Sequence, residues 1–295
     1  MKIAAVVLTV ALATARASPD PSVAQRRPTF GARTDAVWIP AAVQLGNRRV
    51  SGLGINDFEV SDNGVRQKLL DVTSVADLPL DLTLVVDESS SVLPVIESFR
   101  KQLRAIADSM KPVDTIRLIG FSSRVVQRAA RQPAQDPLPI ESIEAQGSTS
   151  LHDAIVMSLL EHATPGRQHV VVVYTDGYDN SSIAGISDIK KVAGRTGAVL
   201  YIALSPLPGA NSSTPPKLFA EIAGVADLTG GIAYPSGRFD GLVGILAEVF
   251  DDFRTRYLLY YVRKGVPADG WHNVTVRVMR PGDYTVTARK SYFGS

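Results

Sequence analysis

Residues 80–92 read Leu80-Asp81-Leu82-Thr83-Leu84-Val85-Val86-Asp87-Glu88-Ser89-Ser90-Ser91-Val92. The run from Leu82 to Val86 gives an extended chain little polar face, a pattern that suits a strand covered on both sides. It ends in the polar cluster that starts at Asp87. Behind that cluster the period changes: Val92, Ile96, Phe99, Leu103, Ile106 and Met110 fall four and three apart, the stripe of one amphipathic helix. Pro94 suits a first helical turn, and Pro112 follows the predicted end.

The alternation continues toward the C-terminus. Strand Ile116–Phe121, helix Leu151–His162, strand Val170–Tyr174, helix Ile186–Thr196 and strand Val199–Leu204 are predicted in turn. After a Pro-rich loop over 206–216 come a short helix near Leu218–Ile222 and a strand at Ile232–Tyr234. The helix that follows carries Leu242, Ile245, Leu246, Val249, Phe250 and Phe253 on one face. Buried strands separated by helices predict an α/β domain over residues 79–256, a doubly wound, mostly parallel sheet.

Outside these limits the period is two. Val37, Ile39, Val43 and Leu45 alternate up to a Gly46-Asn47 turn, and Pro40 suggests an edge strand. Phe58 and Val60 lead into Asp62-Asn63-Gly64, a tight hairpin signal, with a returning strand to about Val75. Beyond Arg256, Tyr257–Val262, then Val274, Val276 and Val278, then Tyr284, Val286 and Ala288 repeat the pattern. A few short half-buried strands bury too little to fold alone. Residues 34–78 and 257–295 are therefore expected to pair as one discontinuous β domain holding the α/β domain as an insertion.

Residues 1–17 combine Lys2, an apolar run from Ile3 to Ala13 and Ala15-Arg16-Ala17, the pattern of a cleaved signal peptide. Residues 18–33 are polar and expected to be a disordered linker. The expectation is secretion, to a bacterial periplasm or the extracellular medium, with no membrane span. Loss of Lys2 and Arg16 from the 31 basic residues leaves 29, matching the 29 acidic ones. A neutral chain lacks the cationic surplus that nucleic acid requires. With no cysteine, stability has to come from burial.

Ligands of such sheets bind beyond the carboxyl ends of the strands, where the strand order reverses. Three polar clusters fall at predicted strand or helix ends of that kind. Asp87, Ser89 and Ser91 follow the first α/β strand, Thr149 lies in Gly147-Ser148-Thr149-Ser150 before a helix, and Asp176 follows Val170–Thr175 and precedes Gly177. All five offer hard oxygen, which favours Mg²⁺, Mn²⁺ or Ca²⁺ over zinc. Ser89 or Ser91 as a helix N-cap is the plainer alternative. Asp153 reads as a first-turn carboxylate, and Asp179 and Asn180 as turn residues. His152, His162, His169 and His272 show no zinc-hydrolase spacing.

Asp-x-Ser-x-Ser after a buried strand, a Thr before a helix and Thr-Asp-Gly after another strand resemble the metal-ion-dependent adhesion site of von Willebrand factor A (VWA) domains. Gly54-Ile55-Asn56-Asp57-Phe58-Glu59-Val60 and the Tyr-rich strands after the domain resemble a secreted bacterial VWA-related family abundant in acidobacteria. The resemblance implies that Ser89, Ser91 and Thr149 offer hydroxyls to a divalent cation, and that Asp87 and Asp176 hold it directly or through water. Two departures stand out: Ser90 replaces the usual Gly, and Glu88 adds a third carboxylate, expected to point to solvent.

The expected function is a non-enzymatic binding module whose Mg²⁺, or Mn²⁺ or Ca²⁺, engages a carboxylate of a protein partner. The alternatives are a metal-dependent hydrolase of phosphate esters using Asp87, Glu88 and Asp176, and a structural envelope component with a vestigial site.

Overall fold

The computed structural model describes residues 36–161, 164, 166–205, 217–235, 237 and 241–294. The signal peptide and linker expected over 1–33, and the Pro-rich loop 206–216, lie outside the described residues. The chain is a mixed α/β protein with three sheets. It opens with strands β1 (Ala36–Leu45), β2 (Arg48–Arg49), β3 (Phe58–Asp62), β4 (Val65–Gln67) and β5 (Leu69–Ser74). Asn63 and Gly64, at φ 46° and 79°, make the tight turn between β3 and β4.

The central sheet begins with β6 (Leu80–Asp87), all eight residues buried. It continues with β7 (Thr115–Phe121), β8 (Val125–Pro133), β9 (Gln168–Thr175), β10 (Val199–Leu204) and β11 (Ala233–Tyr234). The spatial order is β11-β10-β9-β6-β7-β8. Neighbours are parallel except β8, which runs antiparallel to β7 along one edge. The order reverses between β6 and β9: the chain leaves β6 toward β7 and β8, then returns to the other side as β9. That crevice is where Asp87 and Asp176 emerge.

Helices α1 (Ile96–Arg104), α2 (Ile106–Ser109), α3 (Leu151–Leu159), α4 (Ile186–Arg195), α5 (Lys217–Leu228) and α6 (Gly241–Arg254) divide between the two faces. Leu82, Leu84, Val172 and Tyr201 pack against α1, α2 and α6. Val85, Val171, Val173 and Ile202 pack against α3, α4 and α5. The strand period of two thus feeds two separate cores.

After α6 come β12 (Tyr257–Val262), β13 (Gly270–Val278), β14 (Tyr284–Ala288) and β15 (Ser291–Gly294). They join the first five strands in two further sheets, ordered β14-β1-β12-β5, with β2 on β1, and β15-β13-β3-β4. Ile39, Val60, Leu259 and Tyr261 fill the core these sheets share. Side-chain networks tie them to the central domain. Arg49 forks to Glu248, Asp251 and Asp252 of α6, and Asp252 also pairs with the buried Arg256 and accepts the Tyr201 hydroxyl. Arg289, buried without a carboxylate and lowered to about 10 by that burial, donates to the carbonyls of Ala193 and Ala198.

Several elements depart from the sequence expectation. The helix expected from Val92 starts as a 3₁₀ turn, Ser90–Val95, with Pro94 inside it, and breaks at Ala105. Proline's fixed φ suits either kind of turn, and short 3₁₀ pieces are common at the start of α-helices. The helix from Leu151 closes at Leu159. Pro40 lies in a strand with two neighbours, not at a sheet edge, but β14 pairs with β1 only from Ala41 onward. Its missing N–H therefore costs no ladder bond on that side. The strand after Gly64 is not continuous: β4 and β5 belong to different sheets. Strands β8 and β15 were not anticipated. In β8 the half-buried Arg128 and Arg131 stand where an apolar alternation would have signalled a strand, each paired with a buried acid.

Candidate functional site

Three loops converge beyond the carboxyl ends of β6 and β9, knitted by main-chain hydrogen bonds. Ser90 N–H donates to Gly147 O at 3.1 Å, Gln146 N–H to Glu88 O at 2.8 Å, and Ser150 N–H to Ser122 O at 2.9 Å. Gly147, at φ 77°, lets its loop turn back against Ser123; a Cβ there would lie 2.4 Å from Ser123 Oγ.

The side chains of Asp87, Ser89, Ser91 and Asp176 form one chain of oxygens. Asp87 Oδ1 accepts the Ser89 amide at 2.9 Å and lies 2.6 Å from Ser89 Oγ. Ser89 Oγ is 2.9 Å from Ser91 Oγ, and Ser91 Oγ donates to Asp176 Oδ2. The remaining carboxylate oxygens are held from behind: Asp87 Oδ2 accepts Thr175 Oγ1 at 2.8 Å, and Asp176 Oδ1 accepts the Tyr178 amide at 3.1 Å. Thr149, 4 % exposed, lines the same cavity of about 310 Å³ with Ser89, Ser91, Asp176, Tyr178 and Asn180. The structure therefore brings Asp87, Ser89, Ser91, Thr149 and Asp176 to one place. Ser89 does not cap a helix with its side chain; the hydroxyl is spent on Asp87.

Proton counting exposes the character of this chain. Asp87–Ser89, Ser89–Ser91 and Ser91–Asp176 are three oxygen–oxygen contacts. With both carboxylates ionised, two serine hydroxyls supply only two protons. One contact then has none. Burial, with the Asp176 charge adding to it, pushes the Asp87 carboxyl above the ordinary aspartate range, against the hydrogen bonds from Ser89 and Thr175. The cluster is short of one proton and, with both acids ionised, carries two negative charges.

A divalent cation fits that deficit. The donors are all hydroxyl or carboxylate oxygens, and the 2.6 and 2.9 Å separations approach the edge of about 3.0 Å that adjacent ligands span around an octahedral ion with metal–oxygen bonds of about 2.1 Å. Among the described residues no three His, Cys, Asp or Glu side chains gather as a metal-binding group, so a cation here would have to draw on the hydroxyls as well.

Glu88 corrects an expectation. It is 2 % exposed rather than solvent-facing, and Arg128 of β8 pairs with both its oxygens, Nε to Oε1 at 3.1 Å and Nη2 to Oε2 at 2.5 Å. Its carboxylate lies over Gly120, where any Cβ would approach within 2.0 Å of Oε1. Burial raises the Glu88 carboxyl and Arg128 opposes that shift. The third carboxylate is thus neutralised by β8, a strand that the sequence pattern did not disclose. Ser90 takes its place without a positive φ, since Asn63 is the only described non-glycine residue with one.

Asp179, Asn180 and Asp153 do more than their local turns. Asp179 Oδ2 accepts the His152 amide at 3.0 Å, capping α3, and Asp153 accepts the amides of Ile183 and Ala184. A larger groove of about 550 Å³, beside Leu103, Pro137 and Ile140, contains no comparable oxygen cluster.

No protein-family model matches the chain, and no curated protein matches it. Solved structures similar to it include a von Willebrand factor type A protein from Catenulispora acidiphila, at 9 % identity over 90 % of this chain and 75 % of that one, TM-score 0.47. BatB, a conserved hypothetical protein from Bacteroides thetaiotaomicron, matches at 14 % identity over 59 % of this chain and 98 % of its own, TM-score 0.46. Proximal thread matrix protein 1 from the mussel byssus matches at 14 % over 65 % and 50 %, TM-score 0.48. Likenesses this distant leave the chemistry to be argued from the chain's own residues.

Proposed function

We propose that this chain is a VWA-type interaction module, in which a divalent cation held by Asp87, Ser89, Ser91, Thr149 and Asp176 engages a carboxylate of a protein partner. The observation that carries the reading is the proton shortfall: three oxygen contacts served by two hydroxyl protons, opening onto a cavity. When bound, the cation supplies positive charge and a coordination position for a partner's oxygen. The residues do the rest. Ser89 and Ser91 turn their protons toward the two aspartates and leave lone pairs for the ion. Thr175 and the Tyr178 amide hold the aspartates in place from behind. Glu88 adds no net charge because Arg128 offsets it, so the ion's charge is countered by two aspartates only.

The hydrolase alternative required Glu88 as a third ligand, and its engagement by Arg128 disfavours that. Mg²⁺ is the proposed ion, with Mn²⁺ the convenient probe. Titration calorimetry of the chain from residue 18 onward with Mg²⁺ and Mn²⁺ is expected to show saturable binding that Asp87→Ala abolishes; equal weak binding by both proteins would sink the metal step. Capture of a partner that EDTA does not prevent would sink the cation's role in adhesion. Secretion remains part of the proposal, and fractionation of cells expressing the full chain tests it.

A further inference from the structure

We propose that Asn180 is the positioning residue for Thr149, and that the loop from Asp176 to Asn180 sets both of those corners of the site together. The inference rests on the cation-site reading above and extends it to residues that reading does not use. Three hydrogen bonds fix the Thr149 main chain to this loop. The Thr149 amide donates to Asn180 Oδ1 at 2.8 Å, while the Thr149 carbonyl accepts the amides of Asn180 at 3.0 Å and Ser181 at 3.1 Å. Both main-chain polar groups of Thr149 are therefore satisfied by two consecutive residues of another loop, one of them through its side chain.

The same loop begins at the metal-ligand candidate Asp176, whose Oδ1 takes the Tyr178 amide. On the far side of Thr149, Ser148 Oγ lies 3.1 Å from Ser181 Oγ, and Ser150 Oγ lies 2.9 Å from it. Asp179 and Asp153 lock the two segments reciprocally, each accepting main-chain amides from the other's segment. The geometry leaves Thr149 free to offer its hydroxyl to the cavity while its backbone is held. Asn180 is itself exposed and carries an acceptor that the turn alone does not need. Aspartate preserves that acceptor; alanine and serine cannot reach the amide with it.

Mn²⁺ affinity of the wild-type chain, Asn180→Ala, Asn180→Ser, Asn180→Asp, Thr149→Ala and the Thr149→Ala/Asn180→Ala pair tests this. Asn180→Ala and Asn180→Ser are expected to raise the Mn²⁺ Kd about tenfold or more, the scale of lost outer partners at metal sites. Asn180→Asp is expected to bind at least as tightly as wild type. In the Thr149→Ala background the second change is expected to add less than about twofold, because residues acting through one another are not additive. Exchange of the Thr149 amide without metal is expected to speed up in Asn180→Ala and not in Asn180→Asp. Unchanged Mn²⁺ affinity in Asn180→Ala and Asn180→Ser, or full additivity with Thr149→Ala, overturns the inference while leaving the cation site standing. Failure of the wild type to bind Mn²⁺ overturns both, and unchanged Thr149 exchange in Asn180→Ala overturns the clamp whatever the metal does.

Discussion

Asp62 and Asp87 are both buried aspartates among hydroxyls, at 0 % and 3 % exposure, and they sit in differently supplied surroundings. Asp62, in the sheets built from the two ends of the chain, accepts Tyr261 at 2.9 Å and Tyr292 at 2.6 Å on Oδ2, and meets His272 Nδ1 at 2.7 Å on Oδ1. Two phenols and one imidazole nitrogen surround the Asp62 carboxylate, and the two phenols also meet each other. Burial above all pushes both phenols above the ordinary tyrosine range and so keeps them protonated. Asp87 likewise accepts three protons, from the Ser89 amide and the Ser89 and Thr175 hydroxyls, but its Ser89 partner leads on through Ser91 to a second carboxylate, Asp176. The Asp62 cluster holds a single carboxylate, fully buried, and serves the architecture. A cluster that holds two carboxylates and opens onto a cavity is equipped for a ligand.

The contrast breaks most directly at its centres. Asp62→Ala leaves the buried Tyr261 and His272 and the half-buried Tyr292 without their acceptor and is expected to cost about 3–5 kcal/mol in urea unfolding, the scale of a buried partner removed. Asp87→Ala, measured in EDTA, is expected to cost much less, since it also removes repulsion with Asp176. Equal losses would erase the distinction between the clusters.

Cation addition sharpens it next. Mg²⁺ at a hundred times its Kd is expected to stabilise the wild type by about 2.7 kcal/mol and Asp87→Ala not at all. A variant altered only around Asp62, such as Tyr292→Phe, should respond as the wild type does.

Acidity separates the two states of the site. The folded chain holds the Asp87 proton to higher pH than the unfolded chain does, so without metal the contribution of Asp87 to stability falls as pH rises from the ordinary aspartate value toward and through the raised one. With saturating Mg²⁺ the slope is expected to reverse, because ionised Asp87 then binds the ion; melting temperature against pH, with Mg²⁺ and with EDTA, reads it. Asp81 and Asp252, both held low, tilt the whole-chain slope the other way, so the comparison is wild type minus Asp87→Asn; a metal-free difference of the opposite sign would show that Asp87 is not desolvated. The smallest effect is expected from Tyr292→Phe itself. It removes one of Asp62's three donors at a cost of about 1 kcal/mol.

Much of this was legible in the order of residues. Strands β10 and β12 and helix α6 follow from unbroken local periods, because each buries a face that the sequence writes in consecutive apolar letters. Strand β8 was not legible. Its half-buried Arg128 and Arg131 are compatible with a strand only because Glu88 and Asp81 meet them across the sheet. The same contact misdirected the reading of Glu88, since alternation along one chain says nothing of a cation arriving from another strand. The Thr149 clamp is equally remote from local pattern, with its partners about 31 residues apart along the chain.

The sequence by itself determined which segments are strands and helices over most of the chain, and which five oxygen-bearing residues deserved attention, because periodicity and strand-end polarity are local properties. Only the tertiary structure decided that the strand order reverses between β6 and β9, that Arg128 neutralises Glu88, and that Asp87, Ser89, Ser91 and Asp176 stand in one chain with too few protons. Those depend on distances between segments far apart along the chain, and burial and charge are properties of the assembled neighbourhood.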